Sequence, residues 1–245
     1  MNATVSAAML FDMDDTILDD SGNVQRCWTA ACERYAPMLD TVETVTTEQL
    51  RRAIQDYANW YWSDTERHRV GRLDLAQARR QIVTMAVQQL GLSAPVVAQE
   101  LADFYTSERT TFIQPFPGAL DVLQSLKDLG IRMALITNGN EVMQRHKIER
   151  FGLDRYFDCI LIEGAFGVGK PNERVYRHVL LQLNASPSEA SMVGDNLEWD
   201  VAAPQRLGIF GIWNDYARTG LPSATAILPD RIIHTITELV PKASV

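Results

Sequence analysis

Three carboxylates, Asp12, Asp14 and Asp15, stand within four positions directly after the apolar run Ala7-Ala8-Met9-Leu10-Phe11. The run reads as a short strand buried on both faces, the pattern of a parallel sheet. In open parallel sheets ligands bind just beyond the carboxyl ends of strands, where these acids fall. Residues two apart on an extended backbone point to the same side, so Asp12 and Asp14 are expected to converge. Carboxylates about 4 Å apart repel by roughly 4 kcal/mol at an effective dielectric of about 20. Such a pair needs a proton or a cation, and a hard, oxygen-seeking ion such as Mg²⁺ suits it. Taken alone, the stretch also reads as an acidic turn capping a helix.

Three further polar clusters follow predicted strands: Thr137 with Asn138, a glycine-rich loop around Lys170, and Asp195. Brought to one sheet edge, this inventory suits phosphoryl transfer, which is mainly positioning and charge neutralisation. One carboxylate can act as nucleophile and a second can protonate the leaving oxygen. A hydroxyl and an amide can hold phosphate oxygens, a lysine can offset charge, and a third carboxylate can complete a metal site.

The elements that must position these groups fall into two regimes. After a polar break at residues 19–23, a helix is predicted from Val24 to about Met38, with Trp28, Ala31 and Tyr35 on one stripe. Thr46-Thr47-Glu48-Gln49 has capping-box form and opens a second helix carrying Leu50, Ile54, Tyr57 and Tyr61. The latter half of 59–72 lacks apolar periodicity and reads as a loop. Leu75–Leu90, stopped by Gly91, and a segment from Ser93 to about Thr111 are two more helices. From Ala119 the rhythm alternates: helix to Leu129, strand 131–136, helix to Phe151, strand 157–162, a glycine-rich loop 164–171, helix from Asn172 to about Leu183, and strands at 191–193, 209–213 and 232–233. The expected fold class is therefore α/β, a doubly wound parallel sheet with an inserted all-helical domain. The borders fall at 1–18 and 113–245 for the α/β core and 19–112 for the insertion.

Of the 245 residues, 46% are hydrophobic and 22% charged, ordinary for a globular protein with a sizeable core. The net charge of −8 argues against nucleic acid and anionic membrane as partners but not against a small anion in a local pocket. No apolar run is long enough to span a bilayer, and the N-terminus lacks a signal-peptide pattern, so a cytoplasmic protein, monomer or homodimer, is expected. Cys27, Cys32 and Cys159 make an odd count without a disulfide framework and read as reduced, mostly buried thiols.

In four motifs the chain resembles the haloacid dehalogenase-like hydrolase superfamily: Asp12-Met13-Asp14-Asp15-Thr16, Leu135-Ile136-Thr137-Asn138-Gly139, Gly169-Lys170-Pro171, and Gly194-Asp195-Asn196-Leu197-Glu198-Trp199-Asp200. The resemblance spans essentially the whole chain and implies a Mg²⁺-dependent phosphomonoester hydrolase working through an aspartyl-phosphate. It casts Asp12 as nucleophile, Asp14 as general acid and then base, and Thr137 and Asn138 as phosphoryl ligands. Lys170 would hold the nucleophile and offset phosphate charge. Asp195 would bind Mg²⁺ with Asp12 and the main-chain carbonyl of Asp14, supported by Thr16, Asn196 and Asp200. The insertion after the first motif matches the helical C1 cap, and the chain is similar there to acylneuraminate-phosphate and pyrimidine-nucleotide phosphatases. A small phosphorylated substrate, a sugar phosphate or nucleotide monophosphate, follows. Pro204 departs from the pattern, because it would end or kink the helix after the fourth motif.

In the cap, Arg67, His68, Arg69 and Arg72 form the densest basic cluster and are the candidate specificity residues; a solvated cluster paired with Asp64, Glu66 and Asp74 is the alternative. Trp60 is expected in the cap core, and Asp15 and Glu198 as turn and helix-start acids. Glu163 is expected as a bystander rather than a substrate ligand, and His146, His178 and His234 are expected to face solvent. Among rival functions, a dehalogenase does not need Asp14, and a phosphonate hydrolase needs a cap lysine, of which residues 19–112 have none. A sugar-phosphate mutase shares all four motifs. A non-enzymatic phospho-binding or regulatory module would be about half this length.

Overall fold

The computed structural model describes residues 6–39 and 45–240. Strand β1 (Ala8–Phe11) is buried at all four positions. A turn follows in which Asp15 takes a φ of 58°, then the short strand β2 (Leu18–Asp19). The chain next forms five helices, α1 (Val24–Tyr35), α2 (Thr47–Ser63), α3 (Thr65–Gly71), α4 (Leu75–Gln89) and α5 (Pro95–Phe112). It returns at β3 (Gln114–Pro115), antiparallel to β2. Alternation then begins with α6 (Ala119–Asp128), β4 (Arg132–Thr137), α7 (Glu141–Arg150) and β5 (Cys159–Ile162). The four-residue α8 (Glu163–Phe166), α9 (Glu173–Gln182) and β6 (Ala190–Gly194) come next. A π-helical turn, Leu197–Ala202, runs into α10 (Ala203–Gln205), followed by β7 (Phe210–Asn214) and β8 (Arg231–Ile233).

Two compact units result, Met1–Asp19 with Gln114–Val245, and Asp20–Ile113, so each border lies one residue beyond the expected one. In the first unit all six long-sheet strands are parallel, in the order β5-β4-β1-β6-β7-β8. The central place of β1 explains its unbroken apolar sequence: neighbours on both sides and helices on both faces leave no solvated position. One face of the sheet packs Leu10, Ala134, Ile136 and Met192 against Val175, Tyr176 and Val179 of α9.

The helical unit has its own core, in which Trp28 and Tyr105 stack with ring centroids 3.5 Å apart. Thr46 and Gln49 form the expected capping box, and Gly91 takes the left-handed φ of 77° that stops α4. Two expectations fail here. The stretch read as a loop contains α3, because the Asp64 side chain accepts from the Arg67 N–H at 2.8 Å and supplies a cap that periodicity alone does not reveal. Trp60 is not core: it is 51% exposed, with the Arg67 guanidinium 3.8 Å above its ring. In the α/β unit, the first residues of the expected 164–171 loop belong to α8.

The Pro204 departure also has a local cause. Proline has no N–H to give the carbonyl of Asp200, and its ring crowds that carbonyl. The coil before it opens to π-helical spacing instead of simply ending. No helix among the described residues is long and apolar enough to cross a membrane.

Cys27 and Cys32 are buried in the helical core, while Cys159 at the start of β5 is partly accessible. Burial pushes the Cys32 thiol from about 9 up to about 12. A raised thiol pKa stabilises the fold fully below the unfolded value and loses that contribution as pH climbs from about 9 towards 12. Titrating native protein with a thiol-reactive chromophore at pH 8 should therefore modify Cys159 first, with Cys27 and Cys32 reacting at the rate of unfolding. Equal rates for all three thiols would contradict this packing.

Candidate active site

Asp12 follows β1, and its N–H donates to Val193 O of β6 at 2.9 Å, so it continues the sheet pairing past the strand end. Its Oδ1 accepts from Lys170 Nζ at 2.6 Å, and Oδ2 has a longer contact, 3.4 Å, from the Thr16 hydroxyl. Lys170 is 1% exposed and also donates to Asp200 Oδ1 at 2.6 Å. Burial works against the lysine's charge, but attraction to Asp12 and Asp200 prevails and its pKa rises.

Two glycines make this approach possible. A Cβ on Gly194 would lie 2.2 Å from Cγ of Asp200, so only glycine lets that carboxyl press against the end of β6. A Cβ on Gly169 would come within 2.5 Å of Asn138 Oδ1. The Asn138 amide pairs in both directions with the main chain of Lys170, accepting from its N–H and donating to its carbonyl, each at 2.8 Å. The side chain expected to bind a phosphoryl group thus fixes the lysine loop. Asn196 likewise serves as a cap: its Oδ1 accepts from the N–H groups of Glu198 and Trp199, starting the turn that carries Asp200.

Asp195, at the exit of β6, is half-buried, and its carbonyl accepts from the Trp213 indole at 2.7 Å. Ligand oxygens of Asp12, Asp195 and Asp200 all lie within 4.8 Å of one another. Burial, then the neighbouring carboxylates, pushes Asp195 up to about 9, and burial with Asp200 raises Asp12 to about 7 despite Lys170. One lysine does not balance three carboxylates at this distance. A divalent cation would, and an all-oxygen donor set fits Mg²⁺.

Asp14 faces a different set of partners. Its Oδ1 accepts from Lys147 Nζ at 2.8 Å and its Oδ2 from Gln144 Nε2 at 2.9 Å, both on α7. The carboxylate cluster joins Asp12 and Asp195 to Asp200 rather than to Asp14, whose carboxylate is held by α7. Gln144, itself 4% exposed, also donates to the Thr137 hydroxyl oxygen at 2.6 Å. The Thr137 proton is then left to a long 3.5 Å contact with the Asn138 carbonyl, which a phosphoryl oxygen could displace. Neither Gln144 nor Lys147 was among the sequence candidates; their three-residue spacing on one face of the helix that follows Thr137 is the signal that was present.

Other candidates have structural roles. Glu163 is buried and accepts from the Gly139 N–H at 2.9 Å, holding the loop after β4. Glu198 pairs with Arg206. His146 is exposed, but His178 packs on Phe166 with centroids 4.8 Å apart, and His234 Nδ1 lies 3.0 Å from the Asp215 carbonyl. In the helical unit the basic cluster divides. Arg67 donates to the carbonyls of Trp60 and Tyr61, and Arg69 pairs with Glu66. His68 and Arg72 line a cavity.

These features set a lysine and three carboxylates at one edge of a doubly wound sheet. A family model for haloacid dehalogenase-like hydrolases matches residues 7–208, and the chain belongs to that family. It is similar to a phosphoserine phosphatase of Thermus thermophilus, 36% identical over 56% of this chain and 54% of that protein. It is also 30% identical to a glyceraldehyde 3-phosphate phosphatase of Pyrococcus abyssi, over 86% of this chain and 82% of the relative. The crystal structure of the HAD-hydrolase YfnB of Bacillus subtilis, bound to magnesium, shares the fold with a TM-score of 0.68 and 21% identity, covering 95% of this chain and 96% of that one.

Replacing Gln144 by Leu keeps the volume but leaves Asp14 Oδ2 and Thr137 with a partner fewer. The expected loss is about 1.5–3 kcal/mol in kcat/KM, the scale of a hydrogen bond to a charged group. Lys147→Met should lower kcat/KM less, because its pair with Asp14 is partly solvated. Steady-state kinetics with an aryl phosphate measure both, and wild-type rates in Q144L would show that α7 does not position the acid.

Proposed function

We propose that this chain is a Mg²⁺-dependent phosphomonoester hydrolase that acts on small phosphorylated metabolites through an aspartyl-phosphate on Asp12. The observation that carries the reading is the convergence of Asp12, Lys170, Asp195 and Asp200 from three separate segments at the carboxyl edge of the sheet. Two relatives are named for compact phosphate monoesters, phosphoserine and glyceraldehyde 3-phosphate, which supports a substrate of similar size.

Asp12 is held by Lys170 through Oδ1, which leaves Oδ2 as the attacking atom. As the Oδ2–P bond forms, the ester P–O bond breaks, and Asp14 delivers a proton to the departing oxygen. Asp14, now a carboxylate, then takes a proton from water as that water attacks phosphorus, releasing phosphate and restoring Asp12. Thr137 donates to a phosphoryl oxygen, and Lys170 offsets the charge gathering on the transferred group. Asp12, Asp195 and the Asp14 carbonyl would hold Mg²⁺, with Asp200 behind them. When bound, the ion neutralises phosphoryl charge and aligns the group for in-line attack. For Asp14 to reach the leaving oxygen it must release at least one of its contacts with α7, so the tether to Gln144 and Lys147 defines a resting position.

Released phosphate is the direct test, with a panel of phosphorylated metabolites and an aryl ester as substrates. Asp12→Asn should abolish both turnover and the acid-stable labelled intermediate. Asp14→Asn should leave Asp12 able to be phosphorylated, with the smallest loss on esters whose leaving groups have low pKa. Chelation should remove activity and added Mg²⁺ restore it; full activity in chelator would refute the metal assignment. Label passing to an added sugar phosphate rather than to water would identify a mutase.

A further inference from the structure

The helical unit contains a cavity of about 390 Å³ whose lining residues all lie between Asp20 and Arg109. Arg72, Arg79 and Arg109 line it against one carboxylate, Asp20. Asp20 is paired with Arg109, which also donates to the Asp20 carbonyl at 2.5 Å. Arg79 donates to the neutral Thr106 hydroxyl at 3.3 Å and lies over the Tyr105 ring. The lining thus carries more cationic than anionic groups in a chain of net charge −8. Burial, with the nearby charge of Arg109, lowers the Arg79 pKa, the direction expected where a counter-charge is short.

The remaining walls suit the carbon part of a ligand. Trp28 lines the cavity and is backed by its stack on Tyr105. Trp62 lines it too, edge-on to His68 with centroids 5.5 Å apart. Arginine cannot accept, so the 3.4 Å contact from Arg72 makes His68 Nδ1 the acceptor and places the imidazole proton on Nε2, another donor. Donors and cations on one side with aromatic faces on the other match an amphipathic anion. The volume lies in the range of small-molecule sites, and a bare inorganic anion would leave most of it to water.

We infer that this cavity binds a small organic acid, its carboxylate or phosphate on Arg72 and Arg79 and its carbon body against Trp28 and Trp62. Two sources share that chemistry: the part of the substrate left after phosphoryl removal, or a separate effector. Only the first rests on the phosphatase reading.

The test uses the full chain in chelator, titrated with D-glycerate and with benzoate by calorimetry and indole fluorescence, against glycerol and benzyl alcohol as neutral counterparts. At least one acid should bind saturably and its neutral counterpart should not. Arg79→Gln and Arg72→Gln should each weaken binding by about ten-fold or more, as for loss of a charged hydrogen bond, and R69Q should not. Arg79→Lys, which keeps the charge, should retain part of the affinity and serves if the glutamine variant misfolds. Binding of neither acid, equal binding of acid and neutral counterpart, or unchanged affinity in both R72Q and R79Q would overturn the assignment. A kinetic arm with Mg²⁺ and an aryl phosphate separates the sources. If the acid raises KM alone, it competes with the substrate as a product of the reaction does; if it changes kcat, it is an effector. The binding arm reads out even if no phosphate ester is turned over, so failure of the phosphatase reading is distinguishable.

Discussion

A single ammonium group, Lys170 Nζ, lies buried between the carboxylates of Asp12 and Asp200 at 2.6 Å from each, and much of the α/β unit's local structure follows from it. Removing one partner of a buried ion pair typically costs about 3–5 kcal/mol, because the other charge is left without compensation. The surroundings show what is needed to keep the pairing intact. Gly194 and Gly169 give up side chains so that Asp200 and the lysine loop can approach. Asn138 ties the loop by its main chain, and the π-helical turn before Pro204 presents Asp200 from behind. Tyr176, buried in α9, closes this side by donating to the Trp199 carbonyl within the same turn.

The acids divide between two cationic partners. Lys170 serves Asp12 and Asp200, while Lys147 with Gln144 serves Asp14. This separation suits a reaction in which one carboxylate must remain an unprotonated nucleophile while its neighbour carries a proton back and forth. Shared cations would couple the two tasks. Separate ones allow Asp14 to change partners without disturbing the geometry at Asp12. At Asp195 the attraction of Lys170 is outweighed by burial and neighbouring acids, and the resulting upward push on its pKa marks where a metal charge fits.

How much of this could be read from the sequence depended on the range of the interaction. The apolar run before Asp12 announced a central parallel strand, because burial on both faces leaves a continuous signature. Thr46 with Gln49, and Gly91, announced helix ends, because caps act over three or four residues. The acids, threonine and lysine were legible because each stands just after a predicted strand. The roles of Asn138, Gln144 and Lys147 were not, since each reaches a residue more than thirty or a hundred positions away, or one that acts only through the fold. The helix α3 was hidden for the opposite reason: it is so short and polar that capping by Asp64 and the Glu66–Arg69 pair define it, not an apolar stripe. Trp60 misled because an indole can be covered by a guanidinium as well as by a core.

The same distinction bears on the helical unit's arginines. Local pairing accounts for Arg67 and Arg69, and both would be expected on a helix with no function beyond holding its shape. Arg79 cannot be explained in that way. A half-buried guanidinium repelled by Arg109, with a neutral hydroxyl as acceptor and the nearby Asp20 already paired with Arg109, opposes folding unless something else satisfies it. An apolar residue at this position would avoid that cost. Groups that oppose stability yet persist in an otherwise self-consistent core are where a ligand's contribution is to be sought, because its charge completes what the fold leaves unbalanced.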